Sequence, residues 1–257
     1  MKLCAFCPAE TVKRGGEHIW DDWLNRALPT TKFRVKQRLS SADPFREYEA
    51  AILKEKLPAV CEKCNHTWMS DLTGRVKEHF HDAIVNDDPL YISVRDPALL
   101  AAFTFLKAIV ADHAIKKENP FFTRAVREQF RVSLAIPPEV QIWIAAYQGA
   151  QRYSGRCSNA ILTPNEPSPL YGIEFYSFTY VVGHLVLQLH APRWKYVHRR
   201  SATLPVLSPH DQWSPATIQV WPSNGSAVSW PPSKYLGDNI IEAFINRFAL
   251  PIRMRIA

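Results

Sequence analysis

"CEKCNHTWM", residues 61–69, sets two cysteines at C-x-x-C spacing, an asparagine directly after the second, and then a tryptophan and a methionine. Its counterpart near the N-terminus, "CAFCPAETVKRGGEHIW" (residues 4–20), opens with another C-x-x-C pair. The chain has five cysteines, and four of them fall in these two pairs. A tight turn carrying C-x-x-C directs both thiolates at one ion, and two such turns close a tetrahedral zinc site. Cys4, Cys7, Cys61 and Cys64 are therefore the expected ligands of a structural Zn²⁺. Disulfides fit poorly in a reducing compartment, and neither pair has the strand-to-helix context of a redox dithiol. Cys157 stands apart and reads as an inert thiol.

A simple zinc ribbon separates its pairs by roughly 15–20 residues. Cys7 and Cys61 lie much further apart, so a segment of its own size is inserted between the two turns. That insert contains "GGEHIWDDWL" (15–24), an acid and a histidine side by side after two glycines. Adjacent side chains on a regular strand face opposite ways, but at a strand end or bulge both can address one pocket. A carboxylate and a neutral oxygen suit a hard divalent cation, and a histidine beside them suits deprotonation of water. Glu17 and Asn65 fit the ligand roles for Mg²⁺ or Mn²⁺, and His18 fits the general base. The chemistry this points to is metal-assisted phosphodiester hydrolysis. His66 competes with Asn65 as a ligand but reads as a polar residue at a helix start. His79 and His81, at i and i+2 on a helix, face different sides and do not form a metal pair. Trp20, Trp23 and Trp68 read as packing around the zinc core rather than as base-stacking platforms.

The order C-x-x-C, Glu-His with following aromatics, then C-x-x-C-Asn-x-x-Trp-Met resembles the zinc-bearing branch of the HNH endonucleases. More narrowly, "EHIWDDWL" and "VCEKCNHTWMSDL" resemble bacterial proteins that join such a module to an uncharacterised C-terminal region. The resemblance covers roughly residues 1–80. It implies a ββα-metal fold, two antiparallel strands and a helix around one divalent ion. His18 matches the water-activating histidine, Glu17 the adjacent metal-binding acid, Asn65 the third signature position, and the four cysteines the zinc ligands. It also implies DNA as substrate, with RNA as a variant, and a 5′-phosphate product. Similar modules often serve in restriction or phage defence. The middle asparagine of the signature has no counterpart in "LKEKLPAVC" (53–61). The alternative reading is accordingly a non-catalytic zinc module that binds nucleic acid or protein.

At 257 residues the chain is long enough for one large domain or two modest ones. Its net charge of +7 lies wholly in residues 91–257, because residues 1–90 hold equal numbers of acids and bases. Within the first part, "TTKFRVKQRLSS" (30–41) alternates basic residues as a strand with one charged face would. Lys32, Arg34, Lys36 and Arg38 are the candidate phosphate-binding residues. The most apolar run, residues 97–115, is interrupted by Lys107, Asp112 and His113 and reads as a buried helix rather than a membrane span. The N-terminus lacks a secretory apolar region, which makes the expected location cytoplasmic.

The sequence thus predicts an α+β chain: residues 1–90 as a zinc-stabilised ββα-metal module, and 91–257 as a C-terminal α+β domain. In the latter, residues 96–119 read as a long helix starting Asp96-Pro97, and 120–134 as a second, basic helix. Residues 139–148, 156–164, 173–192 and 217–222 are rich in β-branched and aromatic side chains and predict an antiparallel sheet of four to six strands. Residues 237–250 predict a closing amphipathic helix capped by Asp238 or Asn239. "HAPRWKYVHRR" (190–200) interleaves aromatic and basic residues, as a nucleic-acid-binding segment would. The other two roles open to the sheet are to gate the module or only to complete the fold.

Overall fold

The computed structural model describes residues 3–9, 17–18, 21–28, 33–37, 46–50, 56–57, 59–93, 96–115, 120–150, 153–161, 172–194 and 211–248. Lys32, Arg38, Trp20, residues 116–119 and residues 195–200 lie outside them. The chain forms two compact units, residues 1–75 with 109–134, and residues 76–108 with 135–257. The basic helix that the sequence assigned to 91–257 therefore groups with the N-terminal residues.

The first unit opens with β1 (Glu17–His18) and α1 (Asp22–Ala27), then β2 (Phe33–Gln37), β3 (Arg46–Ala50) and β4 (Lys56–Leu57). β1 pairs antiparallel with β4, and β2 with β3. A helical run follows: α2 (Glu62–Cys64), a π-helical turn at Asn65–Met69, and α3 (Ser70–Val85), whose later turns belong to the second unit. The buried residues Leu72, Val76, Phe80, Ala83 and Ile84 of α3 recur at helical spacing. The π turn inserts one residue, so that Cys64 and Met69, a π-turn apart, both point inward. Thr67 carries the kink (φ −109°, ψ −109°), and its hydroxyl donates to the Lys63 carbonyl at 2.7 Å. The end of α4 (Asp96–Ile115) and all of α5 (Arg124–Ser133) complete this unit. Thr123 caps α5 by accepting the Val126 N–H at 3.4 Å, and Leu134 ends it in the left-handed region (φ 54°).

The second unit contains β5 (Leu90–Ile92), β6 (Gln141–Tyr147), β7 (Tyr153–Ile161), β8 (Ile173–Val182), β9 (Leu185–Trp194), β10 (Thr217–Trp221), β11 (Val228–Trp230), β12 (Tyr235–Leu236) and α6 (Asp238–Ile245). The main sheet runs β10-β6-β9-β8-β7, with β12 also on β6, and matches the expected four to six strands. It is antiparallel except for the β12–β6 pair, which is parallel. The apolar run 173–192 divides into a hairpin because Gly183 takes φ +56°, a conformation open to glycine. On one sheet face Tyr176, Phe178, Tyr180, Leu187, Leu189, Ile142 and Ile144 share register positions. There the Tyr176 hydroxyl donates to the Ala108 carbonyl of α4 at 3.0 Å, and Phe103 meets Tyr180 edge-on. The opposite face carries Gln141, Trp143, Ser177, Thr179, Gln188 and His190, all buried.

One helix start differs from expectation. Gly237, not Asp238 or Asn239, occupies the N-cap of α6. The Asp238 carboxylate instead accepts the Tyr147 hydroxyl and the Ala150 N–H, which turns it away from its own helix. α4 begins at Asp96, as expected, and the Asp96 carboxylate accepts the Ser93 N–H at 2.8 Å. Among the described residues, no helix is long and apolar enough to cross a membrane.

Candidate metal centre

The sulfur atoms of Cys4, Cys7, Cys61 and Cys64 lie within 4.8 Å of one another. Cys7 Sγ stands 3.6 Å from Cys61 Sγ and 3.7 Å from Cys64 Sγ. A tetrahedral zinc with Zn–S bonds of about 2.3 Å requires S···S edges of about 3.8 Å. The cluster thus has the size of a closed tetrathiolate site, and its sulfurs are too far apart to be bonded to each other. Four cysteines are positioned to hold one metal ion, consistent with structural zinc.

Backbone hydrogen bonds shape this geometry. In the first turn the Phe6 N–H donates to Cys4 Sγ at 3.4 Å and the Cys4 N–H to the Ala9 carbonyl at 2.8 Å. In the second, the Asn65 N–H donates to the Cys61 carbonyl at 3.1 Å. The Ala5 N–H reaches the Ala59 carbonyl at 2.8 Å and ties the two turns together. Cys4, Cys61 and Cys64 are buried and Cys7 is half-buried. Burial pushes the Cys64 thiol far up, against a smaller opposing effect of Trp68, and raises Cys4 as well. At Cys61 burial also acts upward, but hydrogen bonds from the Cys64 backbone and the neighbouring sulfurs outweigh it and lower the thiol. Binding of a metal here must therefore release protons from thiols that burial holds protonated.

Aromatic rings close the centre. Phe6, inside the first turn, meets Trp68 edge-on at 5.1 Å, and Trp68 meets Phe130 of α5 edge-on at 5.9 Å. Trp68 is half-buried and Trp23 buried, as expected of packing residues. Sequence reasoning missed Phe130 and its neighbour Arg127, both buried on α5. Their only signal was the pairing of a cation and an aromatic at i and i+3 in "RAVREQFRVS".

The other candidates occupy defined backbone positions. Glu17 is buried and His18 half-buried, on β1, opposite Leu57 and Lys56 of β4. Leu57 lies just ahead of Cys61, so the β1–β4 pair leads directly into the second cysteine turn. Asn65 is half-buried in the first turn after Cys64, and His66 beside it is exposed. Arg34 and Lys36 lie on β2, in register with Glu49 and Glu47 of β3. His81 pairs with Asp82 at 2.7 Å on the exposed side of α3, and His79 is exposed. No family model matches this sequence, and comparison with curated proteins and with solved structures finds no match.

Proposed function

We propose that the first unit is a metal-dependent endonuclease of the HNH type that hydrolyses DNA, with a structural zinc at Cys4, Cys7, Cys61 and Cys64. The observation that carries this reading is the antiparallel pairing of β1 with β4. It puts Glu17-His18 beside β4, the strand that runs into the second cysteine turn, with Asn65 at the start of the following helix. That order, strand, strand and helix beside a tetrathiolate, is what a ββα-metal module needs. The Glu17 carboxylate and the Asn65 side-chain carbonyl are hard oxygen donors and fit Mg²⁺ or Mn²⁺. Such an ion supplies charge stabilisation at the scissile phosphate and the departing 3′ oxygen. His18 takes the proton from the attacking water, and its half-buried position on β1 leaves part of its surface accessible for that task. The tetrathiolate, coordinatively closed, anchors the helix start that bears Asn65.

A second reading, a non-catalytic zinc module binding nucleic acid or protein, is favoured by one observation: residues 53–61 hold no asparagine to steady the loop bearing His18. His18→Ala separates the two. In the endonuclease, zinc content and DNA binding persist while Mg²⁺- or Mn²⁺-dependent cleavage falls by about two to four orders of magnitude. Added imidazole should restore part of the missing rate. Equal cleavage by parent and variant would place the activity elsewhere. A parent that cuts no DNA with either metal leaves the binding module as the better reading.

A further inference from the structure

Arg127 is a buried cation, 6% exposed, in the first unit beside the cysteine cluster. Its Nε donates to the carbonyl of Ala5, inside the Cys4–Cys7 turn, at 2.7 Å, and its Nη1 donates to the Phe122 carbonyl at 2.5 Å. The Phe122 N–H in turn donates to Asp112 Oδ2 at 3.0 Å, so Phe122 links the buried acid and the buried base. Ala5 is thus held on its N–H side by Ala59 and on its carbonyl side by Arg127. From the same helix, Phe130 packs on Phe6 and Trp68.

Charge makes this arrangement more than packing. A zinc ion ringed by four thiolates is a net dianion, and an anion out of water is costly unless a cation or hydrogen-bond donors face it. Burial lowers the Arg127 pKa, and Asp112, with lesser opposition from Glu128 and Cys4, works against that shift, so the guanidinium lies within electrostatic reach of Cys4. The guanidinium donates to two main-chain carbonyls, and one of them belongs to the metal-binding turn itself.

We propose that Arg127 is a positioning and charge-balancing residue of the metal centre, holding the Cys4–Cys7 turn through Ala5 and offsetting the dianion that the loaded site becomes. This rests on the reading of the cluster as a zinc tetrathiolate, and not on the nuclease activity. It assigns α5, distant in sequence from both cysteine pairs, a role in metal retention.

The test uses the full chain and three substitutions: Arg127→Gln, which keeps a donor without the charge, Arg127→Lys, which keeps the charge, and Phe130→Leu, which alters only packing. Zinc affinity is measured by competition with a chromogenic chelator, and the thiolate-to-metal absorption of the Co²⁺ form reports the geometry. Arg127→Gln should weaken zinc binding by about 10–100-fold, the range for removing a group that supports the metal ligands from behind. Arg127→Lys should recover most of that deficit, and Phe130→Leu should lower thermal stability while holding zinc nearly as tightly as the parent. Parent-like affinity in Arg127→Gln overturns the proposal, as does a deficit in Arg127→Lys equal to that in Arg127→Gln. Should Arg127→Gln not fold, weaker zinc binding in Arg127→Lys than in Phe130→Leu overturns it. A parent that binds no zinc refutes the tetrathiolate and this role with it, whereas a zinc-loaded parent indifferent to Arg127→Gln refutes this role alone.

Discussion

Residues 1–75 with 109–134 carry their described strands as two-stranded pairs, β1 with β4 and β2 with β3. Residues 76–108 with 135–257 instead build a six-stranded sheet whose interior strand β6 is buried along its whole length. A two-stranded ribbon is marginal in water by itself, and a sheet buried on both faces is not. The first unit makes up the difference at its cysteine cluster, where the two turns, Phe6, Trp68 and Phe130 converge. A difference in build implies a difference in vulnerability: one unit should depend on a metal, the other on apolar burial.

Removing the metal is the most severe test of that contrast. Structural zinc in small metal-folded peptides contributes about 10–16 kcal/mol, because the site does not exist before folding. Chelation, or Cys61→Ser, should open residues 1–75 and 109–134 to protease while the sheet of the second unit stays protected. Limited proteolysis followed by mass spectrometry reads both units in one experiment. A metal-free chain protected equally in both would break the comparison at its root.

The second unit has its own point of failure. Gly183 turns the β8–β9 hairpin at φ +56°, and a Cβ added there would overlap the Ile84 carbonyl oxygen of α3. The His184 N–H donates to that same carbonyl at 2.8 Å, so the backbone cannot back away without breaking a hydrogen bond. Gly183→Ala should cost about 2–4 kcal/mol, from left-handed backbone strain plus the clash. Chemical denaturation followed by tryptophan fluorescence and proteolysis should place the damage in the second unit, with zinc affinity unchanged. Release of zinc together with melting of the sheet would show that the units do not fail separately.

What was legible in the sequence follows the same division. The long helix at 96–115 was visible from its Asp-Pro start and its apolar positions at helical spacing. The strands of the sheet were visible from their β-branched and aromatic composition, although β6 is buried throughout and shows no alternation. The cysteine pairs were legible because thiolate spacing is chemistry rather than packing. The assignment of α5 to the first unit was not, since nothing local in "RAVREQFRVS" says which carbonyl Arg127 will reach. Nor was the parallel β12–β6 pair, which is set by a chain path and not by composition. The α6 cap failed for a related reason: Asp238 had a better partner in Tyr147, far away in sequence.

A smaller effect separates the units by pH. His190 is fully buried on the polar face of the sheet, and burial, with the nearby Arg247 charge, pushes its pKa down to about 3. Arg247 stays in place by donating to Gln188 Oε1 at 2.5 Å and by stacking over Phe244 and Trp143. The folded state thus holds His190 neutral, while the unfolded chain takes up a proton below its ordinary value of about 6.5. Stability from this group is complete above that value and is lost as pH falls from about 6.5 towards 3. Between pH 8 and pH 5 the decrease should be about 2 kcal/mol. His190→Gln should abolish that slope. Proton-driven release of metal from the first unit occurs in both proteins and cancels in the difference. An unchanged slope in the variant would mean that His190 takes no part.

The finest discrimination lies in the β2–β3 ribbon. Arg34 stands in register with Glu49, and Lys36 with Glu47, and both acids are exposed. An opposite-charge pair across two strands is worth roughly 0.2–1 kcal/mol. In the endonuclease reading the same basic positions face phosphates, and each base neutralised should reduce the salt dependence of DNA binding by roughly one unit of slope. The acids oppose that use, because they repel the phosphates that the bases attract. Arg34→Gln with Lys36→Gln should flatten the salt slope by roughly two units, and Glu47→Gln with Glu49→Gln should tighten binding at low salt. Both double variants should change stability by no more than about 1 kcal/mol, since the acids are exposed and such pairs are only modestly coupled. If the salt slope is indifferent to the first pair and affinity to the second, the charges serve the ribbon alone. DNA, if bound, would then have to be held by other surfaces of the chain.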